Sequence, residues 1–137
     1  MASAVATELP RHDLPFEKPR PSEVIISPSG EKGYAWELTP SERSHIAEML
    51  NVDVSEITIT RNLMSAEREE CRSCGKHMGL DDLVHNAKYS GVHGIAFMLD
   101  VLRNGNKNES PGHVVFCSRC TTRFDNVTYW IPAIPWI

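Results

Sequence analysis

The chain has 137 residues, with 14 lysines and arginines against 18 aspartates and glutamates, for a net charge of −4. Nucleic-acid binders neutralise phosphates with a clustered basic face; here the cations are scattered among acids, so nucleic acid is not the expected partner. No run approaches the roughly 18 apolar residues of a membrane span, and Met1 to Glu8 lack a basic leader, so a single cytoplasmic domain is expected.

Residues 1–30 hold five of the nine prolines: Pro10, Pro15, Pro19, Pro21 and Pro28. Each removes a backbone donor and pushes its predecessor towards extended geometry, which excludes a regular helix. The segment reads as a disordered leader or as an extended arm laid over a groove. Leu14, Phe16 and Val24-Ile25-Ile26 supply apolar surface for the second case, and Ser27-Pro28-Ser29-Gly30 makes a turn.

Residues 31–137 are expected to form the folded part. Tyr34 to Leu38 is a short strand candidate. Thr39-Pro40-Ser41-Glu42 starts a helix: Thr39 caps, Pro40 suits the first helical position, and Glu42 can reach back in a capping box. That helix should run to about Leu50, bury Ile46, Ala47, Met49 and Leu50, and end at a left-handed Asn51. Ile57-Thr58-Ile59-Thr60 alternates as a half-buried strand would.

Leu80-Asp81-Asp82 opens a second helix, its carboxylates dressing the N-terminus in solvent. A third, from about Val92 to Arg103, carries Ile95, Met98, Leu99 and Leu102 on one face. His113 to Phe116 reads as a last strand. The tail, Tyr129 to Ile137, is so rich in apolar and aromatic residues that it must be covered, by its own domain, a second subunit in a homodimer, or a ligand cavity.

The strongest chemical signal is cysteine spacing. All four cysteines fall in two Cys-x-x-Cys pairs, Cys71/Cys74 and Cys117/Cys120. A two-residue spacer lets both sulfurs of a tight turn face one cation, and two such turns complete a tetrahedral thiolate shell. Gly75 fits the positive φ that such a knuckle needs. Two disulfides or a redox dithiol are the competing readings; the first requires an oxidising compartment and the second only one pair. The expectation is one structural Zn2+ per chain. Four thiolates leave no open coordination position, so any catalysis must come from other side chains. The fold class expected is a small α+β domain on a treble-clef or zinc-ribbon-like site, with inserted helices.

Among the six histidines, His77 lies close enough to the first pair to donate to sulfur, while the remainder read singly as ordinary surface or core residues. Gathered near the knuckles, however, histidines would make an acid–base pocket. Residue chemistry also offers Glu70, Tyr89 or His113 to move a proton. Phe124, Tyr129, Trp130 and Trp136 are candidates to enclose an aryl group.

Cys71-Arg72-Ser73-Cys74-Gly75-Lys76, Gly79-Leu80-Asp81-Asp82, Ser90-Gly91-Val92-His93 and Phe116-Cys117-Ser118-Arg119-Cys120 together resemble small fungal zinc proteins of secondary metabolism. The nearest type is the cyclopenases, ring-contracting lyases of quinolone alkaloid biosynthesis, over about residues 34–125. That resemblance implies conversion of a cyclopenin-type benzodiazepinedione to a viridicatin-type hydroxyquinolone. The small aromatic metabolite would lose a carbonyl–nitrogen fragment by acid–base catalysis without a redox cofactor. The alternative is a non-catalytic zinc-binding module that contacts a protein partner through the tail or the arm.

Overall fold

A computed structural model describes residues 9–104, 112 and 114–131. The described residues form a small mixed α/β domain: a three-stranded antiparallel sheet, three helices, and two cysteine turns that lie outside the sheet. The strands are β1 (Glu23–Ile26), β2 (Lys32–Glu37) and β3 (Arg61–Met64), in that order across the sheet. β1 thus begins the sheet within the segment read as an arm. Its pairing with β2 runs from Glu23↔Ala35 to Ile26↔Lys32, and β2 pairs with β3 from Tyr34↔Met64 to Glu37↔Arg61.

The strand expected at Ile57–Thr60 lies four residues further on. Ile57 follows a short 3-10 turn, Val54–Glu56, capped by Asp53, and is fully buried against the helices. Its side chain is needed in the helical core, so pairing with β2 starts only after that anchor. Likewise the strand expected at His113–Phe116 is reduced to one bridge, Phe116↔Arg123, and His113 lies outside the described residues.

Helix α1 spans Pro40–Leu50 with the expected capping box: Glu42 N–H donates to Thr39 Oγ1 and Thr39 N–H to Glu42 Oε2. Asn51 closes it at φ 56. Helix α2 spans Leu80–Tyr89 and helix α3 Ile95–Asn104. α3 buries Met98, Val101 and Leu102, whereas Ile95 is exposed, so its inward stripe is rotated from the one read in the sequence.

Two apolar clusters hold these elements together. One joins the three helices through Ile46, Leu50, Ile57, Leu80, Val84, Met98 and Leu102. The other joins the sheet to the cysteine turns through Trp36, Met64, Cys71, Met78, Val115, Cys117 and Phe124. Leu83 and Trp130 pack against both. The start of the apolar tail is tied to β3: Ile131 N–H donates to Leu63 O and Ser65 N–H to Tyr129 O. Trp136 and the rest of the tail lie outside the described residues. No described helix is long and apolar enough to cross a membrane.

Candidate metal centre and the buried polar relay

The two cysteine turns are built alike. In the first, Cys71 N–H donates to Lys76 O and Gly75 N–H to Cys71 O; in the second, Cys117 N–H donates to Thr122 O and Thr121 N–H to Cys117 O. Each is flanked by a bridge, Glu70↔His77 and Phe116↔Arg123. The fifth residue of each turn is left-handed, Gly75 at φ 82 and Thr121 at φ 66. Gly75 takes this conformation freely, while β-branched Thr121 is strained there.

The turns face each other so that all four Sγ atoms lie within 4.8 Å of one another. Cys71 and Cys120 sulfurs are 3.5 Å apart, Cys74 and Cys117 3.6 Å. A disulfide would bring sulfurs to about 2.05 Å, and a tetrahedral ion with metal–sulfur bonds of about 2.3 Å sets them about 3.8 Å apart. The sulfurs fit the second case and can hold a metal ion. Burial, and next the Asp82 carboxylate, push the Cys117 thiol up; burial also raises Cys74. At Cys120 burial works to raise the thiol, but hydrogen bonds with Thr122, and then with Cys71 and Cys74, together bring it down to about 7. Thr122 Oγ1 sits 3.2 Å from Cys120 Sγ and 2.9 Å from Ser73 Oγ, linking the two turns.

Asp82, expected in solvent, is fully buried and clamps both turns to the start of α2. Its Oδ1 accepts from Ser118 N–H (2.9 Å) and Oγ–H (2.7 Å), and its Oδ2 from Lys76 Nζ and Gly79 N–H, both at 2.8 Å. The spacer Ser118 is therefore interior. Arg68, although flanked by Glu67, Glu69 and Glu70, is buried over the Trp36 ring and bonds Glu42 Oε2 (2.8 Å), Glu37 O and Met78 O. Glu42 in turn accepts from Leu80 N–H at 3.1 Å, so the α1 cap carboxylate also caps α2. Burial pushes Glu42 up against the pull of Arg68. A Cβ at Gly79 would come within 2.5 Å of Glu42 Oε1 and 2.6 Å of Asp81 Oδ1, so only glycine lets these carboxylates approach.

Asp81 is also interior. It is 3.1 Å from Lys76 Nζ, and its Oδ2 lies 2.8 Å from His45 Nδ1. Burial works to raise Asp81, but Lys76 and then His45 hold it below its ordinary value. Burial would likewise lower Lys76, and the two aspartates overcome it, keeping the ammonium charged. Beyond His45 the chain of contacts continues: His45 Nε2 lies 2.7 Å from His12 Nδ1, and His12 packs edge-on against His85 and Tyr89. Burial lowers both His12 and His85.

Of the sequence candidates, Tyr89 stands at the exposed edge of this histidine cluster. Glu70 is exposed beside His77, whose imidazole burial lowers. Phe124 is sealed in the core, Tyr129 is exposed, and Trp130 is half-buried between the two apolar clusters. His45, Asp81 and His12, brought together from the arm, α1 and α2, were not singled out by sequence. The buried Asp81 is the signal's obstacle, because helix N-termini ordinarily carry solvated acids.

A family model described as "Domain of unknown function (DUF8243)" matches residues 24–136. The chain belongs to that family. The DUF8243 match takes in the sheet from Val24 onwards, all three helices, both cysteine turns, His45 and Asp81, while His12 lies ahead of it. Comparison with curated proteins and with solved structures returns no match.

Proposed function

We propose that this DUF8243 protein is a small cytoplasmic lyase built around one structural Zn2+ held by Cys71, Cys74, Cys117 and Cys120. The facing sulfurs carry the metal assignment: their spacing suits a tetrahedral ion, and an all-cysteine set favours zinc over hard cations. With four protein ligands the ion supplies folding energy, and proton chemistry falls to neighbouring side chains. The reaction in view is the ring contraction of a cyclopenin-type benzodiazepinedione to a hydroxyquinolone, a conversion that needs acid–base groups and no redox cofactor. Support for an acid–base role is the contiguous buried chain from Asp81 to half-buried His12 beside Tyr89.

The test is incubation of the zinc-loaded protein with cyclopenin and separation of the products. Viridicatin formation above the protein-free rate is expected, and none would remove this reaction. A second reading, a zinc-stabilised interaction module, is favoured by Val92, Ile95 and Phe97, apolar side chains exposed around the start of α3. It predicts a protein partner lost on Phe97→Ser, with no turnover of cyclopenin.

A further inference from the structure

We propose that Asp81, His45 and His12 form a proton relay ending at His12 Nε2, and that His12 is the general base of a catalytic site bordered by Tyr89 and His85. The inference rests on the lyase reading and supplies the residue that reading lacks.

The direction of the relay follows from the donor inventory. An ionised carboxylate only accepts, so at 2.8 Å from Asp81 Oδ2 it is His45 Nδ1 that carries the proton. With His45 neutral, that proton is its one N–H, and His45 Nε2 is an acceptor. The 2.7 Å contact is then filled by His12 Nδ1–H. His12 Nε2 is left with its lone pair, and it makes no hydrogen bond among the described residues. Of the three histidines only His12 is partly open; His45 and His85 are buried.

A second observation points to a ligand at the same place. His85 Nε2 donates to Pro10 O at 2.8 Å, which makes its Nδ1 an acceptor. That buried Nδ1 has no hydrogen-bond partner. Buried polar atoms are ordinarily satisfied, so an acceptor without one, on a ring 4.9 Å from His12 by centroids, fits a site that takes a donor from a bound molecule. The border is made of aromatic rings, with Glu48 and Lys88 offsetting each other's charge around His12. It suits an uncharged planar molecule with an acidic C–H or N–H.

In the step, that proton passes to His12 Nε2 and its electron pair stays on the substrate, where it expels the leaving group. The imidazolium keeps its Nδ1–H bond to His45, and Asp81 behind His45 stabilises the new positive charge, as in the Asp-His pairs of hydrolytic triads. The proton then returns to the leaving group or product, closing the cycle. His45 and Asp81 are positioning residues.

The test uses the full, zinc-loaded chain and 5-nitrobenzisoxazole, which loses its C–H proton to a base and opens its N–O bond to a coloured phenolate. We expect turnover faster than with free imidazole at equal concentration, rising with pH to a plateau. His12→Ala should lose about 10²–10³-fold, partly restored by added imidazole, which a merely structural role for His12 does not predict. Asp81→Asn should slow the reaction and move the midpoint to lower pH, because the imidazolium loses its negative neighbour; His45→Gln serves if that variant fails to fold. Besides Asp81, the groups facing this cluster are His45, His85, Tyr89, Glu48, Lys88 and Asp82. Nitrogen-15 spectra should show His12 protonated at Nδ1 at neutral pH. An Nε2-protonated His12, a wild-type rate no better than free imidazole, or an undiminished His12→Ala overturns the relay. Turnover of the probe without turnover of cyclopenin removes the named reaction and keeps the relay. Turnover of cyclopenin by His12→Ala at the full rate does the reverse.

Discussion

Replacing Asp82 should be the most damaging single change outside the cysteines. Its carboxylate takes four hydrogen bonds, from Ser118 N–H and Oγ–H, Gly79 N–H and Lys76 Nζ, with no side-chain exposure to water. Asp82→Ala leaves two backbone donors without partners and halves the countercharge on Lys76. Hydrogen bonds to charged groups contribute about 1.5–3 kcal/mol each without adding fully, and breaking a buried pair costs about 3–5 kcal/mol. Since Asp81 still pairs with Lys76, the net loss should be about 4–6 kcal/mol, a large share of a total of about 5–15 kcal/mol. Asp82→Asn keeps an acceptor for Ser118 but turns an amide towards the Gly79 N–H, for about 2–4 kcal/mol. Ser118→Ala removes one hydroxyl, for about 1 kcal/mol. Urea unfolding at neutral pH with saturating zinc should rank the three in that order. Asp82→Ala within 1 kcal/mol of wild type, with unchanged metal affinity, would refute the clamp.

Purified protein should carry one zinc per chain, and Cys74→Ser should forfeit much of a metal folding energy on the order of 10 kcal/mol, read as lost zinc and lost near-ultraviolet dichroism. Thr121→Gly should stabilise by about 0.5–1 kcal/mol, because the left-handed strain released at φ 66 is larger than the unfolded-chain entropy that glycine adds; a lower melting temperature would contradict this. For pH, His12 and His85 have folded values below 6.5. The unfolded chain then binds more protons, so their contribution is complete above that pH and is lost as pH falls through 6.5 towards the folded values. Zinc-saturated protein should therefore weaken on acidification from pH 7 to 5, and His12→Gln should flatten that slope. Asp81, held below its ordinary value, adds a second loss below about pH 4.

Local chemistry alone decided a good part of this protein. The α1 cap at Thr39 and Glu42, the left-handed Asn51 and Gly75, and the pairing of cysteines into two turns each depend on residues a few positions apart, so their spacing was enough. Where α1 and α2 meet was decided by tertiary structure. Packing their first turns together removes Glu42, Asp81 and Asp82 from water, and only Arg68, Lys76 and Ser118, arriving from distant segments, make that burial tolerable. The same packing brings His45 to Asp81 and the arm's His12 to His45, across 36 and 33 residues of chain. A helix-terminal aspartate looks identical in sequence whether water or an imidazole solvates it; the difference lies in what folds over it.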